Sequence, residues 1–155
     1  MSAIFSVIAD ADRDVIQVVG GGFFSVEDVQ AFGIALEQAH AHLRCPPNRH
    51  MTIADLSDMH IQSQDVVQAF AEIAQNPRLQ SRRMAMILGA SLARGQARRV
   101  GNAGRHGIGY FADRQSAEAW LFAETLSDAR IAFRYRRAPA SPMSAGHGCI
   151  ARSAV

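Results

Sequence analysis

Two short apolar runs open the chain, Ile4 to Ala9 and Val15 to Val19, separated by the Asp- and Arg-containing stretch Asp10 to Asp14. That pattern predicts a β-hairpin. Gly20-Gly21-Gly22 closes the second strand, and Ser25 is placed to cap a helix that carries Glu27 and Asp28 in its first turn, where negative charge suits the positive end of the helix dipole. Val26, Val29, Phe32, Leu36, Ala39 and Leu43 then recur at spacings of three and four, so one stripe of the helix faces a core. Pro46-Pro47 ends it.

Met51 to Leu56 is short, apolar and bounded by turn residues, which predicts a third strand. A second helix follows, with Ser63 as N-cap, Val66, Phe70 and Ile73 as its buried positions and Asn76-Pro77 as its stop. Met84 to Leu88 shows no alternation and reads as a fourth strand buried on both faces. Gly89-Ala90-Ser91 turns into a weaker third helix, in which Gly95 costs about 1 kcal/mol against alanine. Ile108 to Phe111 is a fifth strand, and Asp113 caps a fourth helix with Ala117, Trp120 and Leu121 turned inward.

The predicted order is therefore β-β-α-β-α-β-α-β-α, an α/β domain with a mixed, mostly parallel five-stranded sheet, an N-terminal hairpin and four helices. Alternation of Ile131, Phe133 and Tyr135 with Arg134 and Arg136 adds a short edge strand. From Ala138 the composition turns to Ala, Ser, Pro and Gly without period, so the domain is expected over residues 1–137 and a flexible tail over 138–155.

Composition narrows the class. The 155 residues fit one domain, and 48% hydrophobic against 19% charged residues is globular rather than disordered. No stretch approaches the roughly 20 apolar residues of a membrane span. The opening Met1 to Phe5 lacks a basic start and a cleavage site, so a cytoplasmic protein is expected. Cys45 and Cys149 form no metal-spaced pair and read as free thiols. All sixteen basic residues are arginine, yet the net charge is only +2. Nucleic acid is not an expected partner, because stacking aromatics are not interleaved with the densest basic group.

That group is Arg94, Arg98, Arg99 and Arg105, which reads either as a site for an anionic ligand or as a solvated helix face. Gly89-Ala90-Ser91-Leu92-Ala93 superficially matches a nucleophile elbow, but its closing glycine is missing, and Asp113 and His147 supply the required acid-then-histidine order only by placing the base in the tail. His40, His42, Cys45 and His50 hold ligand-type atoms, but His40 and His42 are two apart on a helix and diverge, so no metal site is expected. The glycines at 101, 104, 107 and 109 precede a strand, the wrong context for a phosphate loop. No catalytic residue and no cofactor emerge.

The order of elements, the segment Ile53-Ala54-Asp55-Leu56-Ser57-Asp58-Met59 and the helix ending Ala117-Glu118-Ala119-Trp120-Leu121 resemble the STAS superfamily over residues 4–123. Within it the chain is most similar to the SpoIIAA-like branch, related in fold to CRAL-TRIO lipid-binding domains. The resemblance implies a non-enzymatic domain that binds partner proteins or nucleotides. It also implies a phosphorylatable serine, beside a second serine and a glycine, at the start of the helix after the third strand. Here that place reads Gln62-Ser63-Gln64-Asp65, without the paired serine or the glycine, and counting from Asp55 the position falls nearer Asp65.

A regulatory domain that binds a protein through Asp55, Ser57, Asp58, Ser63 and Asp65, without a phosphorylation cycle, is therefore expected. The same residues also serve as ordinary caps and turns. The alternative is a CRAL-TRIO-like carrier holding a lipid or small anionic ligand in an apolar pocket. An exposed edge strand or apolar helix face would in addition support a homodimer.

Overall fold

The computed structural model describes residues 2–89, 91–103 and 107–123. The elements are β1 (Ile4–Asp10), β2 (Val15–Gly22), α1 (Val26–His40), β3 (Met51–Met59), α2 (Gln64–Gln75), β4 (Arg83–Leu88), α3 (Ser91–Ala103), β5 (Ile108–Phe111) and α4 (Arg114–Leu121). They follow the predicted order. The strands lie side by side in chain order, β1 antiparallel to β2 and every later pair parallel. Monotonic order with right-handed crossovers puts the connecting helices on one face. The packing agrees, because α1, α2 and α3 share a core with Ile16, Val18, Ala54, Met86 and Leu88, whereas α4 packs Ala117 and Leu121 on Val15, Ile53, Ala85 and Ile87.

Period-two alternation explains how one strand feeds both cores. In β2, Ile16 and Val18 point to the three-helix face and Val15 to the α4 face. β4 is buried on both, with Ala85 to Leu88 between 0% and 6% exposed. α1 begins with a capping box in which Asp28 Oδ2 accepts from Ser25 N at 2.8 Å and Ser25 Oγ accepts from Asp28 N at 3.1 Å. The hairpin turn is fastened to the loop before β3, where Asp14 Oδ1 accepts from Arg44 N at 2.8 Å and Cys45 N at 3.1 Å. No described helix is long and apolar enough to cross a membrane.

Three expectations change in detail. α1 stops at His40, short of Leu43, whose side chain still packs on the core from the following loop. β3 runs on to Met59 rather than stopping at Leu56, because a bulge absorbs one extra residue: Val19 pairs with Asp55 but Gly21 with Asp58. Trp120 lies at the margin of its core, half-buried against Phe111 and beneath the Arg83 guanidinium, while Ala117 and Leu121 supply the buried contact. The predicted edge strand at 131–136, the tail from 138 and Arg105 lie outside the described residues.

Candidate functional site

The parallel strands point their carboxyl ends at one rim of the sheet, the usual place for function in open α/β folds. The bulge in β3 and the loop to α2 build this rim. Asp55 and Ser57 are bound to each other, Asp55 Oδ1 accepting from Ser57 Oγ at 2.6 Å and Ser57 N at 3.2 Å. Asp58 stands exposed one strand position before the end. Ser63 occupies the N-cap position of α2 but makes no capping bond; its Oγ donates to the Asp65 carboxylate instead. That bond, with the Val66 N–H, holds the Asp65 pKa below the ordinary carboxylate value.

Asp55, Ser57 and Asp58 lie towards the end of β3 and Ser63 and Asp65 at the start of α2, and the loop that joins them carries an apolar feature that the sequence pattern did not reveal. Phe23, 51% exposed, stacks on His60 with ring centroids 4.6 Å apart, and Ile61 beside them is 49% exposed. The available signal was a second phenylalanine after a glycine run, with only one of Phe23 and Phe24 turned inward.

Gln62 secures this loop from below. Its buried side chain accepts from Phe24 N at 2.8 Å and donates to Gly22 O at 2.9 Å and His60 O at 2.7 Å. Its backbone is gripped by Gln96 of α3, which accepts from Gln62 N at 2.8 Å and donates to Gln62 O at 2.9 Å. One residue therefore joins the ends of β2 and β3 to α3. Across the rim, the loop after β4 presses on Ser57: a Cβ on Gly89 would stand 2.2 Å from the Ser57 carbonyl oxygen, so only glycine fits there.

Beneath α2 and α3 the helices cover the sheet incompletely. A cavity of about 180 Å³ remains, walled by Phe32, Phe70, Ile73, Met86 and Ile108 and roofed by Ala93, Ala97 and Gly101 of α3. Small residues at these spacings leave room between α3 and the sheet. Arg94 stands at the rim end of the cavity, where its Nη2 donates to Leu88 O and Gly89 O over 3.4 Å each.

The predicted arginine group does not act as one cluster. Arg98 lies over the Tyr110 ring at 5.2 Å, Arg99 is exposed, and Arg105 lies outside the described residues. At the far edge of the sheet, His40 and His50 bond through their Nε2 atoms at 3.0 Å, with His40 Nδ1 on Leu36 O at 2.7 Å. His42 turns away to Gln38 O at 2.8 Å. Burial, followed by the His40 charge, lowers the His50 pKa to about 4.

No family profile and no curated protein matches the chain. Solved structures do. An uncharacterised DUF3478-family protein with a SpoIIAA-like fold from Shewanella loihica matches with a TM-score of 0.59 at 18% identity, covering 77% of this chain and 94% of its own. The chain has a SpoIIAA-like fold. An anti-sigma factor antagonist from Mycobacterium paratuberculosis also matches, with a TM-score of 0.52 at 12% identity over 77% of this chain and 96% of its own. Within this SpoIIAA-like sheet, the rim and the cavity adjoin, since His60, Gln62 and Gly89 border both.

Proposed function

We propose that this SpoIIAA-like chain is a non-enzymatic regulatory domain that binds a protein partner at the rim of β3 and α2. The observation that carries the reading is the exposed Phe23–His60 stack with Ile61, set among Asp55, Ser57, Asp58, Ser63 and Asp65. An apolar centre inside a polar margin is the anatomy of a protein-binding surface, and aromatic residues at such centres carry most of the binding energy. The structural likeness to an anti-sigma factor antagonist fits a regulatory role of this type. Because the Ser63 hydroxyl already donates to Asp65, a phosphate there would face a carboxylate, and binding proceeds without a phosphorylation cycle.

Affinity capture from a lysate of the source organism, followed by titration of the purified partner, tests this. Phe23→Ala and Ile61→Ala each weaken binding about ten-fold or more. Asp65→Ala weakens it more than Ser63→Ala, and Arg114→Ala on α4 leaves it unchanged. Recovery of Ser63 largely phosphorylated, with partner binding lost on phosphorylation, would contradict the reading.

A second reading rests on the cavity, which favours a domain that holds an apolar ligand between the sheet and α2 and α3. Native mass spectrometry of protein purified without added ligand tests it by the presence or absence of a retained small molecule.

A further inference from the structure

We propose that the cavity beneath α2 and α3 takes an apolar molecule ending in a single anionic group, and that Arg94 sets this preference. The proposal rests on the cavity reading and adds the chemical class of the ligand. Extent is the first argument, because the lining runs from Arg94 and Gly89 at the rim to Gln80, Ser81 and Gly107 at the opposite end of β4, and from Phe5 on β1 to Ile108 on β5. Six strand residues span roughly 20 Å. A space of that extent, walled by aliphatic and aromatic side chains, suits the apolar body of a ligand.

Charge is the second argument. Among the described lining residues, Arg94 is the one with a formal charge, and no carboxylate lines the space. An anion entering there meets one cation and no competing acid. The Arg94 guanidinium is also under-used: both its carbonyl contacts are 3.4 Å long, beyond the usual 2.7–3.2 Å of a full N–H···O bond. None of the described carboxylates forms an ion pair with it. A guanidinium with free donors is suited to receive a carboxylate or phosphate in a two-pronged grip.

The remaining polar groups at that end are already committed. Gln62 and Gln96 bond each other, and the Gln62 side chain bonds Phe24, Gly22 and His60. They form wall rather than an alternative head-group site. At the opposite edge Gln80 and Ser81 are uncharged, so the molecule has one charged end and a direction.

Calorimetric titration of the full chain with decanoate and with decanol tests the assignment. Decanoate is expected to bind about ten-fold or more tightly than decanol, and Arg94→Gln is expected to abolish that difference while leaving decanol binding unchanged. Ala97→Phe, which fills the roof of the space, is expected to abolish binding of both. Where that variant fails to fold, nuclear Overhauser contacts from decanoate methylenes to Met86 in the wild type replace it as the test of location. Co-sedimentation with phosphatidylglycerol vesicles, lost in Arg94→Gln, assigns the anion to a lipid. Decanoate binding without co-sedimentation assigns it to a free acid. Equal affinity for decanoate and decanol would overturn the anionic preference while sparing an apolar cavity. Failure of both to bind would overturn the site itself.

Discussion

The two faces of the sheet are filled differently, although the same strands supply both. On one, α4 presses Ala117 and Leu121, 0% and 1% exposed, onto Val15, Ile53, Ala85 and Ile87. On the other, α1, α2 and α3 cover the sheet but leave about 180 Å³ between them. The difference traces to side-chain size. α4 directs a leucine and part of a tryptophan inward, whereas α3 turns mostly small residues, Ala93, Ala97 and Gly101 with Val100, towards the space. One face is filled, and the other keeps a cavity below the rim formed by β3 and the loop to α2.

The largest expected effect breaks the filled face. Leu121→Ala leaves a hole in a close-packed layer and costs about 3 to 4 kcal/mol in urea titration, whereas Ile73→Ala, bordering existing space, costs about half of that. Equal losses would mean that the two faces are packed alike.

Acid should loosen the three-helix face through His50. Its native pKa of about 4 lies below the ordinary 6.5, so the unfolded chain takes the proton first and stability rises with pH between these values. Full stability is present above about pH 6.5. As pH falls towards 4 the loss grows to on the order of 2 to 3 kcal/mol, and it is absent in a His50→Gln variant. A pH profile that the variant leaves unaltered would contradict this.

Enlarging a side chain is the gentler comparison. Ala85→Met on β4, 0% exposed and bordered by Leu121 and Ile87, costs about 1 to 3 kcal/mol by overpacking. Ala97→Met, facing the cavity, is neutral or stabilises by up to about 1 kcal/mol. Thermal melts of both variants read the difference directly.

Much of this fold was legible in the sequence because its signals are local. Alternating and helical periodicity mark β1 to α4 in order, and the capping positions Ser25 and Asp113 both bond the backbone N–H three residues on. What escaped depends on contacts between distant segments. The extension of β3 to Met59 needs the bulge opposite Gly20, and nothing in Ser57-Asp58 announces it. Ser63 has the composition of a cap, but Asp65 takes its hydroxyl.

The acids and hydroxyls of the β3–α2 segment stand out in the sequence; the exposed Phe23 beside them does not, since Phe23 and Phe24 look alike there. Gln62 reads as loop polarity, yet it is 8% exposed and joins the ends of two strands and a helix. The cavity was invisible for a further reason. It is a difference between the reach of α3 and the distance to the sheet, which no periodicity encodes.

Xenon offers the most direct test of the contrast between the faces, because it enters apolar cavities without needing a polar partner. In a crystal pressurised with xenon, the account predicts an ordered atom between Phe70, Met86 and Ala97 and none between α4 and the sheet. Xenon beneath α4, or its absence beneath α2 and α3 in protein free of any retained molecule, would contradict it.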